Sequence, residues 1–149
     1  MQNKILDFDE KLINFSRKIS IPLARFSLFV VYFWFGLLKI LDVSPANPLV
    51  MDLQQKTLPF LSFSTFIVLF AIFEMFIGCL FLFPKALRLV VPLFILHMGM
   101  TLMPLVFLPE VAWQSAFVPT LEGQYIIKNL VLIALALGLA SNLKPLKNV

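Results

Sequence analysis

Residues 21–41 read IPLARFSLFVVYFWFGLLKIL, and they decide the fold. Apart from Arg25 and Lys39, one near each end, the stretch carries no charge. At about 1.5 Å per residue, roughly 20 helical residues cross the hydrocarbon core of a bilayer. The stretch has that length, and both cations stand close enough to an end to snorkel toward an interface. It reads as the first span of a membrane protein.

Three more apolar runs follow, at 63–83, 87–108 and 124–140. Pro84, Lys85 and Arg88 separate the second from the third so tightly that the two should be antiparallel neighbours. Pro92 and Pro104 fall in the third, where a kink is tolerable if neighbouring groups take up the freed carbonyls. Pro45, Pro48 and Pro59 mark 42–62 as a loop, long enough to hold a short interfacial helix at Leu49–Lys56. Residues 109–123 form the other long loop, with Trp113 and Phe117 as candidate headgroup anchors. The expected fold is an all-α membrane protein, a four-transmembrane-helix bundle occupying 1–149 as a single domain. No repeat relates its halves, which disfavours an inverted-repeat transporter.

Composition agrees. Hydrophobic residues make up 60% of the 149, charged residues 13%, and mean hydropathy is +0.96, a balance that one water-soluble core of this size cannot hide. The net charge of +4 does not point to nucleic acid, because the basic residues flank apolar runs instead of forming a polar patch with interleaved aromatics. Nine basic residues (Lys4, Lys11, Arg17, Lys18, Arg25, Lys85, Arg88, Lys144 and Lys147) fall on one side of the expected bilayer, against Lys39, Lys56 and Lys128 on the other. The positive-inside rule then puts both termini in the cytoplasm. Residues 1–20 mix acidic and basic side chains without the apolar core of a cleaved signal, so the first span is expected to do the targeting. Cys79 is the one cysteine, which leaves no disulfide or CxxC pair and means that any redox role needs a bound cofactor or a partner.

Ionisable groups inside lipid cost about 2.5–3.5 kcal/mol on insertion scales, so each calls for a partner or a water-filled cavity. Arg25, Tyr32, Gly36 and Lys39 recur at spacings that stack them on one stripe of the first span, facing the interior. Glu74 on the second span and His97 on the third share a depth near the midplane, with Gly78 and Thr101 one turn further along their respective faces. Lys128 lies about one turn inside the fourth span, near Gln124, Tyr125 and Asn129. Arg25, Tyr32, Lys39, Glu74, His97 and Lys128 therefore form the candidate polar pocket, suited to a headgroup, a quinone-like ring or a proton path. The alternative is an interhelical cluster holding short spans together at about 1 kcal/mol per contact. Gly36, Gly78, Gly99 and Gly138 are the candidate close-packing positions. One His with one Glu falls short of the three ligands that catalytic zinc takes, so no metal is expected. No Ser-His-Asp arrangement supports hydrolysis, no catalytic residue stands out, and nothing points to an enzyme acting on its own.

RFSLFVVYFWFGLLKI in the first span, EMFIGCLFLF in the second and GQYIIKNLVLIALAL in the fourth resemble the DoxX-like family of small bacterial four-helix membrane proteins. The resemblance covers most of the chain in order and placement. It implies a four-helix fold in the bacterial inner membrane and positional importance for Arg25, Gly36, Lys39, Glu74, Gly78, Lys128 and Asn129. It also implies a link to quinone-coupled oxidation, oxidant resistance or membrane redox complexes. His97, Pro92 and Pro104 match no motif of that family. Three functions follow as expectations: an accessory subunit of a redox or oxidative-stress system with a pocket for quinone or another lipid-like ligand, a structural subunit packing against larger membrane proteins, or a proton-linked carrier working as a homo-oligomer.

Overall fold

The computed structural model describes residues 2–146; Lys147, one of the nine basic residues above, lies outside them. Its helices are α1 (Gln2–Ile40), α2 (Asn47–Thr57), α3 (Phe63–Phe81), α4 (Leu87–Leu102), the short α5 (Pro104–Phe107) and α6 (Pro109–Ala112), and α7 (Leu121–Ala140). A two-stranded hairpin, β1 (Trp113–Ser115) with β2 (Val118–Pro119), joins α6 to α7. Among the described residues four helical segments are long and apolar enough to cross a bilayer: α1, α3, Pro84–Phe107 and α7.

The expected boundaries shift where local chemistry decides them. Helix α1 begins near the N-terminus instead of at residue 21, since no proline interrupts residues 2–20 and Lys11 pairs with Asp7 one turn earlier at 2.7 Å. Pro22 is carried inside the helix, which at 1.5 Å per residue is about 58 Å long. Its first half stands clear of the bundle with Ile5, Phe8, Leu12 and Phe15 exposed. Helix α3 stops at Phe81 because Pro84 forces Phe83 into extended backbone. Helix α7 starts at Leu121, three residues before the expected Gln124: the Thr120 hydroxyl accepts from the Gly123 amide at 3.1 Å, and Glu122 complements the first turn. The interfacial helix expected at Leu49–Lys56 is α2, one or two residues longer at each end.

Helix α1 packs most extensively on α3, antiparallel to it. A methyl group on Gly36 would sit 2.7 Å from Met75 Cγ and 2.8 Å from the Ala71 carbonyl oxygen. One on Gly78 would sit 2.9 Å from the Phe33 amide nitrogen. These two glycines let the backbones touch, as expected for helices in lipid. Gly99 and Gly138 do not: both face open space, so their expected packing role is not realised within this chain. Gly123, which the sequence reading passed over, lies against the Ala112 carbonyl under the hairpin with no room for a side chain. The fully buried apolar core gathers Leu28, Ile77, Phe81, Val90 and Phe94 from α1, α3 and α4, with Ala136 of α7 against it.

The opposite end is closed by loops. The buried Gln54 amide donates to the Leu58 and Leu61 carbonyls at 2.7 Å each, fixing the turn from α2 into α3. Lys56 donates to Glu110 at 2.8 Å and to the Phe107 carbonyl at 3.0 Å, tying α2 to the α5–α6 corner. That hydrogen bond holds the Glu110 carboxyl below the usual carboxylate range, so the tie is present at neutral pH and is lost as pH falls through the lowered value. Both groups are exposed, and the contribution is correspondingly small. Trp113 donates its indole N–H to the Leu105 carbonyl at 2.9 Å and belongs to this corner, which leaves Phe117 alone projecting from the hairpin tip.

Gly36→Ala and Gly78→Ala are each expected to cost about 1–3 kcal/mol through forced separation of α1 and α3. Gly99→Ala and Gly138→Ala should leave stability unchanged or raise it by up to about 1 kcal/mol through helix propensity. Thermal unfolding of the four variants in detergent checks this ranking.

Candidate functional site

Lys39, Glu74, His97 and Tyr32 come together in one continuous buried chain. Lys39 Nζ donates to Glu74 Oε2 at 2.6 Å. Glu74 Oε1 lies 3.1 Å from His97 Nε2, off the line of a hydrogen bond. On the other side of the imidazole ring, Nδ1 is 3.1 Å from the Tyr32 hydroxyl and 3.4 Å from Thr101 Oγ1. The Thr101 hydroxyl proton goes to the His97 carbonyl, one turn back at 3.0 Å. With the Tyr32 O–H directed to Nδ1, the Nε2 proton lies beside the Glu74 carboxylate, which Lys39 holds from its other oxygen, without reaching hydrogen-bond geometry.

The local structure follows from helix geometry. Side chains tilt toward the N-terminus of their helix, so Lys39, close to the last turn of α1, leans back into the bundle. Glu74 leans along α3 in the opposite direction, because the two helices are antiparallel, and the pair meets between them. The snorkelling of Lys39 to the outer interface allowed by the sequence therefore does not occur; the side chain is buried, 6% exposed. Glu74 at 7%, His97 at 3% and Tyr32 at 4% are shielded alike. Aromatic rings supply the shield. Phe70 stacks on the imidazole at 4.9 Å and lies 5.7 Å beneath Lys39 Nζ, while Phe94 tilts against Tyr32 at 5.3 Å. With water excluded by these rings, charge pairing within the chain is far stronger than at a surface.

The other two expected pocket residues are elsewhere. Lys128 is exposed, with its ammonium 4.8 Å over the Tyr125 ring, so α7 contributes nothing to the cluster. Arg25 is half-buried fourteen residues before Lys39, about 21 Å along α1, and opens onto a groove at the end of the bundle formed with the α3–α4 turn. The shared depth of Glu74 and His97 is realised in their contact. Thr101 was noted in the sequence only as a neighbour on the His97 face, and it becomes a second hydroxyl at Nδ1. Phe70 and Phe94 gave no signal among seventeen phenylalanines.

Comparison with protein-family models, with curated proteins and with solved structures finds no match to this chain.

Removing one partner of a buried ion pair leaves the other uncompensated, whereas replacing both by apolar groups can be neutral. Lys39→Met and Glu74→Leu are each expected to lose on the order of 3 kcal/mol. The double variant should recover most of that loss. A double-mutant cycle on thermal stability measures the coupling, and additive losses would mean the 2.6 Å contact contributes nothing.

Proposed function

We propose that this chain is a DoxX-like accessory subunit of a membrane redox or oxidative-stress system, held in the bacterial inner membrane with both termini in the cytoplasm. Its working part is the Lys39–Glu74–His97–Tyr32 chain, which meets a quinone-like ligand arriving from the bilayer and carries the protons that quinone reduction takes up. The observation that carries this reading is the run of four buried titratable side chains, each within 3.1 Å of the next, across α1, α3 and α4. Such groups are expensive in a spanning bundle, and intramembrane acids and histidines in series are the material of proton relays. The electrons come from a partner, because the single cysteine gives this chain no dithiol of its own. The motifs of the first, second and fourth spans and the basic asymmetry of the chain support the family and the orientation.

A specific observation favours a second reading. Each member of the chain lies within 3.1 Å of another member, and all four side chains are shielded, so ligand entry requires Phe70 or a neighbour to move. A purely structural clamp between α1, α3 and α4 has this same arrangement. On that reading the protein is an assembly subunit, and its partner is a larger membrane protein.

The two readings separate in a strain lacking the gene, challenged with oxidant and complemented with variants whose folding has been checked in detergent. The relay reading expects wild type to restore survival and to copurify with quinone. It expects Glu74→Gln and His97→Asn to lose protection by about tenfold or more, since each breaks a proton-transfer step typically worth 10²–10⁴-fold. Full protection by the folded Lys39→Met/Glu74→Leu double variant overturns the relay and leaves the clamp.

A further inference from the structure

The groove at Arg25 lies at the opposite end of the α1–α3 pair from the Lys39–Glu74 contact and takes no part in the reading above. It has a volume of about 500 Å³ and is lined by Ile21, Pro22, Arg25, Phe26, Leu82 and Pro84. Its walls are apolar, and Arg25 is the one charged residue among them. The Nε and Nη1 of Arg25 are buried without a hydrogen-bond partner, although the chain satisfies its other interior cation, Lys39, at 2.6 Å. A guanidinium stays charged at any accessible pH and carries five donors in a planar fork, so an unpartnered one is costly. Among the described residues nothing supplies the missing acceptor.

We propose that the Arg25 groove binds a membrane phospholipid, with the guanidinium taking the phosphodiester and the Ile21, Phe26 and Leu82 walls taking the start of an acyl chain. The fork geometry of arginine matches a phosphate oxygen pair, and because Nε and Nη1 are covered by protein atoms the side chain must turn toward the groove to offer that edge. The depth also fits: Arg25 lies four residues inside the apolar run that begins at Ile21, about 6 Å from the boundary where headgroup phosphates reside. Arg88, at the same end of the bundle, is exposed and donates from Nη2 to the Lys144 carbonyl, whereas Nε and Nη1 of Arg25 are buried. The exposed Lys85, in the turn directly after Pro84, adds a second positive charge beside the groove and favours a headgroup of net negative charge.

The test uses the full chain in detergent micelles, titrated with phosphatidylglycerol, phosphatidylcholine or inorganic phosphate while thermal unfolding is followed. Phosphatidylglycerol is expected to raise the melting temperature saturably, by roughly 5 °C. Phosphatidylcholine should act more weakly and inorganic phosphate not at all. Arg25→Gln should abolish the lipid shift, and Arg25→Lys should retain part of it. An undiminished shift in Arg25→Gln overturns the site. A shift with inorganic phosphate equal to that with lipid overturns the lipid as its source, leaving a free-anion site. Should Arg25→Gln fail to fold, Leu82→Trp fills the apolar half of the groove from an exposed position and leaves the guanidinium in place. Native mass spectrometry then counts retained phospholipid, and an occupancy equal to wild type overturns the proposal.

Discussion

A carboxylate buried among apolar helices must find its cation within the protein, and for Glu74 that cation is Lys39 at 2.6 Å. The constraint reaches outward from this contact. For the two groups to meet, α1 and α3 must run antiparallel and almost touch, which requires a residue without a side chain on each helix near the crossing. Gly36 and Gly78 are those residues, and their backbones have no space for a Cβ. Once α1 and α3 are locked, His97 of α4 can approach the second carboxylate oxygen, and Tyr32 closes on its far ring nitrogen. Three helices are thus registered by one polar chain, while the apolar core of Leu28, Ile77, Phe81 and Phe94 fills the space beneath it.

Helix α7 is held differently. It packs against α4 and α1 through apolar side chains such as Ala136 and Leu139, and its start is fixed by the Thr120 cap and by Gly123 under the hairpin. None of its polar residues enters the central chain. The bundle therefore has a polar, tightly registered trio and a fourth helix docked by shape. Dispersion packing supplies much of the association between helices in lipid, so such a helix needs no interhelical hydrogen bond to stay in place.

Much of this was legible in the sequence because lipid makes the rules severe. Apolar runs of about 20 residues locate the four helices, and the rarity of ionisable residues inside them singles out Glu74, His97 and Lys39. Helical spacing alone also places Tyr32, Gly36 and Lys39 on one face. What periodicity cannot supply is the rotation of one helix against another. Lys128 and Gly99 sit on faces that turn away from the bundle, and nothing in a single helix's pattern distinguishes a face that meets a neighbour from one that meets lipid. Gly123 was missed for the opposite reason: its neighbour Ala112 comes from a hairpin corner whose fold depends on non-local packing. The early start of α1 was missed because hydropathy marks where a helix enters lipid, and a helix continues past that point whenever no breaker stops it.

Arg25 and Lys39 show how direction along a helix changes the fate of two cations on one face. Both side chains tilt toward the N-terminus of α1. Lys39 stands near the C-terminal end of the helix, so the tilt carries its ammonium inward, away from the interface and onto Glu74. Arg25 stands near the point where the apolar run begins, so the same tilt carries it away from Glu74 and to the groove beside Leu82 and Pro84, where none of the described residues pairs with it. Reversing the order of the two positions along the chain would reverse both outcomes. An internal ion pair at one end of α1 and an open cationic groove at the other are thus two consequences of a single backbone geometry, imposed on a helix whose neighbour carries one acid.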